Sequence, residues 1–378
     1  MRTPQSRERV LFAPVPVAPT KPLTLSHIKG LLWADVLRRA TGLLHDVDHL
    51  HSHTVAHLNG QTLGFWSYLD RVHPGTDYDL LDEEQIGGLY VEFQRRRDAG
   101  GPVPAPEDLA ARRDAAERHG RLHPAGERVL ALWARRFREL GLRDPGLSTR
   151  RRPAASLDET VEALTGHGLC VDHRPWRGPV YLDLTARGTA LRQIVGADGH
   201  PNYLAGTLRE LIPLIGAYDR FVLACDRESF ADYALLRDVL TALGARVSLV
   251  GLGRVRLGGS VRTSRHGGWE GRTAAPLART FLDRVGPRPY RLGLRLYFIA
   301  GLGQGDREPF RTDLLWRCMA RAHRLLECSV PAAEHELPEL LGRCAHPYGY
   351  VHPYRLTTGL LATSRTTTAR PLLEEVFL

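Results

Sequence analysis

With 378 residues, 43% hydrophobic and 25% charged, the chain can bury a large core, as one big domain with an appendage or as two domains. Its five cysteines, Cys170, Cys225, Cys318, Cys328 and Cys344, are odd in number and lack CxxC spacing, which argues against a disulfide framework and a zinc ribbon. The net charge of +9 is almost wholly arginine, with Lys21 and Lys29 the sole lysines; it permits a nucleic-acid partner without pointing to one.

No apolar run is long enough to span a bilayer, so no membrane partner is expected. The stretch Met1 to Arg9 has no apolar h-region, so no secretory signal is expected and the expected location is cytoplasmic. Val10 to Val17 reads as a buried strand. Pro19-Thr20-Lys21-Pro22 ends it, because proline continues neither a helix nor a central strand. An amphipathic helix is then predicted over Leu31 to Ala40. Strand, polar loop and helix together aim free N–H groups and His27 at an anion.

The run from His45 to His57 is dense in histidine and Asp, and imidazole with carboxylate is a plausible metal set. It matches no known metal motif and carries no thiolate, so no metal site is assigned. From Asp77 to Arg152 the sequence becomes Arg- and Ala-rich, with helical patterns over Glu83–Arg97 and Glu107–Leu142 punctuated by prolines. Gly178 to Leu184 and Ala190 to Val195 read as strands, the second closed by the Asp198-Gly199 turn. A helix starts near Tyr203. Phe221–Ala224, Phe230–Leu243 and Arg246–Val250 form a strand–helix–strand unit, which predicts a parallel sheet. Val255 to Gly267 is a Gly-rich basic loop suited to close over a triphosphate, and Thr312–Leu326 is a further helix.

The run Lys21 to Lys29, with Thr24-Leu25-Ser26-His27 at its centre, resembles the HIGH signature of class I aminoacyl-tRNA synthetases in its arginyl-tRNA synthetase setting. The order of later features is similar to that family too. Gly178–Leu184, then Asp198-Gly199 with Tyr203, then Phe221–Asp226 follow its pattern, and Val261-Arg-Thr-Ser-Arg-His-Gly267 resembles the KMSKS loop in its arginyl form. The departures are specific. Thr24 replaces the first HIGH histidine, Ser26 the glycine and Val261 the first loop lysine, and Ala18 stands where the family has the asparagine for the substrate's α-amino end.

The resemblance implies an α/β fold, a Rossmann-like parallel-sheet class I synthetase core with a helical insertion and a small C-terminal helical region. The corresponding boundaries are 1–76 and 178–288 for the two halves of the core, 77–177 for the insertion and 289–378 for the C-terminal part. It also implies ATP with Mg²⁺ and formation of an aminoacyl-adenylate. His27, Thr24, Lys29, Arg262, Arg265 and His266 would be catalytic; Lys21, Ser26, Gly30, Asp226, Ser264 and Gly267 would hold the nucleotide. His57, Asn59, Asp183, Asp198 and Tyr203 would contact the amino acid. The stretch past Pro331 has no room for a full anticodon-binding bundle. A small-molecule amine is therefore the expected acceptor of the activated amino acid. A tRNA-dependent enzyme and a degenerate synthetase acting as a binding protein are the alternatives.

Overall fold

The structure, a computed structural model, describes residues 7–14, 17–51, 59–101, 106–120, 122–149, 151–257, 267–331, 336–362 and 368–378. The first strand, β1 (Arg9–Pro14), falls on the apolar run, of which Val15 and Pro16 lie outside the described residues. The helix that follows, α1 (Leu25–Gly42), begins six positions earlier than its periodicity suggests. Thr24 supplies the reason. It is extended (φ −74°, ψ 167°) and caps the helix, while its own N–H donates to Nδ1 of His27 at 3.3 Å.

Next come β2 (Asp46–His49) and a run of helices, α2 (Gly60–Val72), α3 (Glu83–Asp98), α4 (Pro106–His119), α5 (Pro124–Leu140) and α6 (Leu157–Gly166). Strands β3 (Cys170–Asp172), β4 (Val180–Leu182) and β5 (Arg192–Val195) pair antiparallel in a small sheet of their own. After α7 (Tyr203–Leu211), the strand–helix–strand unit appears as expected: β6 (Arg220–Asp226), α8 (Phe230–Ala242) and β7 (Val247–Leu252). The remainder is mainly helical, with α9 (Pro287–Arg295), α10 (Thr312–Glu327), α11 (Glu336–Cys344) and α12 (Pro353–Leu361).

The parallel sheet has the order β2-β1-β6-β7, with Phe12 opposite both His49 and Val222. Alternation along the strands splits the core into two layers. Val10, Phe12, Val222 and Ala224 join the cluster that contains α1 and the aromatic residues Trp133 and Phe137 of α5. Leu11, Ala13, Phe221, Leu223 and Cys225 face the other way, onto α7, α8 and the small antiparallel sheet. Helices therefore cover both faces of a sheet built from near-continuous apolar strands. Among the described residues no helix is long and apolar enough to cross a membrane.

Candidate active site

The strand order fixes where a ligand can lie. From β1 the chain passes to one neighbour, β2; β6, on the other side, leads on to β7. A crevice opens outside the carboxyl ends of strands at such a switch point. A cavity of about 220 Å³ lies there. Its floor is the ends of β2 and β6, at His49, Cys225 and Asp226, together with Ala18 of the loop after β1. One long side is α1, whose Ser26, His27, Gly30, Leu31, Ala34, Asp35 and Arg38 recur at helical spacing along a single face. The opposite wall comes from the insertion, through Trp133, Phe137, Leu142 and Arg143.

At the amino end of α1 the cavity is cationic. Lys21 lines it beside His27, and Arg254 comes within 3.4 Å of Asp226 and 3.3 Å of Glu228. Burial, followed by the charges of Lys21 and Arg254, pushes the His27 imidazole down to about 3, against a smaller opposing hydrogen bond at the Pro22 carbonyl. His27 is therefore neutral at pH 7 and interacts through a ring dipole rather than a full charge. Burial raises the Asp226 carboxyl, and Arg254 pulls it back. Ser26, in the place of the motif glycine, has a definite partner: its Oγ accepts the N–H of Val255 at 3.0 Å. The hydroxyl thus ties the start of α1 to the segment that leads into the basic loop.

Lys29 does not reach the cavity. It is buried with its Nζ donating to the Gly305 carbonyl at 2.5 Å, and burial lowers its ammonium to about 8. The catalytic role expected for it is corrected accordingly: two positions after His27, a side chain leaves a helix about 200° away, on the opposite face. Asn59 also has another place. It caps α2, accepting from Thr62 N–H at 2.9 Å. Asp183 accepts from the N–H and hydroxyl of Thr185 at 2.9 and 2.6 Å, Asp198 accepts from His200 N–H at 3.1 Å, and the Tyr203 hydroxyl donates to Asp232. None of these four lines the cavity, since three belong to the layer around the antiparallel sheet. Of the expected site residues, Lys21, Ser26, His27, Gly30 and Asp226 are brought together there, with Thr24 capping the helix beside them. His57, Arg262, Ser264, Arg265 and His266 lie outside the described residues; Gly267, which follows them, has φ 80°.

Residues not anticipated include Asp35, Arg38, His49 and Arg143. A helical wheel continued from His27 would have found the first two, because positions i+8 and i+11 share its face. Among the described residues no group of three or more His, Cys, Asp or Glu is placed to hold a metal ion.

These features define a class: an α/β fold whose cleft sits at the switch point of a parallel sheet, beside a helix N-terminus. Solved structures narrow it further. The chain is similar to the arginyl-tRNA synthetase of Thermus thermophilus, with TM-score 0.58 and 15% identity over 100% of this chain and 72% of that one. It is similar to that of Plasmodium falciparum with TM-score 0.51 and 12% identity, over 83% of this chain and 56% of the other. A chain from Campylobacter jejuni, matched over 64% of its own length, is more distant at TM-score 0.48. This chain thus spans roughly two thirds of the proteins it resembles. No family model matches the sequence, and no curated protein matches it. The fold is that of an arginyl-tRNA synthetase, as the motifs implied.

Proposed function

We propose that the protein activates an amino acid with ATP through an aminoacyl-adenylate and passes it to a small-molecule amine, as an amide-forming ligase. The observation that carries the reading is the meeting of Lys21, His27 and the α1 N-terminus in one cleft at the strand ends of a synthetase-like fold. In that reaction the amino-acid carboxylate attacks the α-phosphorus of ATP and pyrophosphate leaves. The residues need no covalent role, since positioning and charge stabilisation supply the catalysis.

Lys21 offers a full charge to the phosphates, His27 and the first N–H groups of α1 offer dipoles, and Thr24 holds His27 in place. Mg²⁺ would enter on the phosphates, neutralising them. Asp226 lies close enough to the same cations to contact the nucleotide or the metal. Ser26 holds Val255 against α1 at the same end of the cleft.

ATP–pyrophosphate exchange over a panel of amino acids, with and without tRNA, tests the reading. Exchange without RNA, lost at least about tenfold in His27→Ala, is expected. Exchange only with tRNA would replace the acceptor. Absence of both exchange and ATP binding, under every condition and unaltered by His27→Ala, would leave a binding protein.

A further inference from the structure

The cleft has a second pole, remote from His27. Arg38 stands eleven positions further along the same face of α1, about 16 Å at 1.5 Å per residue. Phosphates held at the amino end of α1 do not need a cation there. Between the two poles the lining is apolar, from Leu31, Ala34 and the α5 aromatics.

Charge at the far pole is unbalanced. Among the described residues Asp35 is the one carboxylate that lines it, and three guanidinium groups surround it: Arg295 at 2.6 Å, Arg39 at 3.0 Å and Arg38 at 3.6 Å. Arg295 and Arg39 are also spoken for by backbone, since they donate to the carbonyls of Leu140 and Gly141 at the carboxyl end of α5. Arg38 makes the longest of the three contacts and is the one that lines the cleft. Arg143 stands opposite it on the insertion, and His49 closes the floor between them. The like charges are close enough to act on one another: Arg38 and Arg143 both hold His49 down, to about 4, after burial. At the near pole the other lining carboxylate, Asp226, already faces Arg254. Among the described residues the two lining carboxylates, Asp35 and Asp226, each already face arginine, so neither is left over for a cationic side chain, while Arg38 shares Asp35 with Arg39 and Arg295 and Arg143 adds a further positive charge.

We propose that the far half of the cleft, between Arg38 and Arg143, is an anion site, and that the amino acid taken there carries a carboxylate side chain rather than a guanidinium. Calling that ligand the amino-acid substrate rests on the adenylation reading; the anion site does not. Arg38 and Arg143 would bind the side-chain carboxylate with charge-assisted hydrogen bonds, and the apolar middle would carry its methylenes.

The test is equilibrium binding to the full chain by calorimetry, using L-glutamate, glutarate and L-arginine as probes, with ATP titrated separately. Glutamate and glutarate are expected to bind more tightly than arginine. Arg143→Glu, at an exposed position, should weaken glutamate by about tenfold or more. Arg38→Gln should do likewise, with circular dichroism confirming that it folds. Arginine binding more tightly than glutamate, or glutamate binding equally to Arg143→Glu and wild type, would overturn the proposal. Glutamate binding without any ATP binding would sink the adenylation reading and leave the anion site standing. Pyrophosphate exchange with arginine but not with any acidic amino acid would do the reverse.

Discussion

Asp35 shows most clearly how one residue serves both the core and the cleft. It lies in the middle of α1, buried among Ile28, Leu32 and Val36, where an unpaired carboxylate would be costly. Its bond to Arg295, which is fully buried, ties α1 to α9, and Arg295 continues to the end of α5. Replacing both partners by apolar groups is a different matter from removing one. Asp35→Asn leaves the Arg295 charge uncompensated and should cost about 3–5 kcal/mol, read as a lower urea midpoint with an unchanged slope. A loss below about 1 kcal/mol would mean that the α5 carbonyls alone satisfy Arg295. Ser26 is the second instructive residue. In the sequence it stands out as a substitution of the motif glycine, whereas in the fold its hydroxyl holds Val255.

Among the elements, the junction of β7 with the 304–306 loop sets the back wall behind α1. Gly253 N–H donates to the Gln304 carbonyl at 2.8 Å, Gln304 Nε2 donates to the Gly251 carbonyl at 3.0 Å, and Lys29 holds Gly305. The approach is so close that a Cβ on Gly253 would sit 2.4 to 2.7 Å from backbone atoms of Gly305 and Asp306. Backbone cannot rotate aside as a side chain can. Gly253→Ala should therefore destabilise the protein by about 1–3 kcal/mol and lower the thermal midpoint measured by calorimetry. An unchanged midpoint would show that the loop moves freely from the strand. Lys29 gains its meaning here as well, as a strut between α1 and this loop rather than a catalytic cation.

For the molecule as a whole, the histidines whose protonation the fold disfavours set the response to acid. His27 is pushed down to about 3, His49 and His123 to about 4, in each case by burial first and then by neighbouring cations. Burial lowers His200, His346 and His352 as well. Below the ordinary value of 6.5 the unfolded chain takes up protons that the folded chain refuses, so acid favours unfolding. Stability from these groups is complete above 6.5 and is lost progressively as pH falls towards 4. Glu83 and Asp226, raised by burial, act in the opposite sense, but from ordinary values of 4.5 and 3.8. The urea midpoint should accordingly fall between pH 7.5 and 5.5. A midpoint that is level or rises over that interval would show that these rings are protonated in the native state.

Much of the architecture was legible in the chain itself, because hydrophobic period and cap chemistry are local. The strand–helix–strand unit from Arg220 to Leu252, the strand at Val10 and the place of His27 at the start of the helix after it follow from pattern, turn residues and motif order. Helix phase was legible in principle too, and it is what separates His27 and Arg38 from Lys29. What only the tertiary structure decided is which distant segments meet. The insertion brings Arg143 and Phe137 to the wall opposite α1, Arg295 arrives from some 260 positions away to pair with Asp35, and β4 and β5 leave for a sheet of their own. Such meetings depend on how helical and sheet layers stack, and no spacing along one segment encodes them.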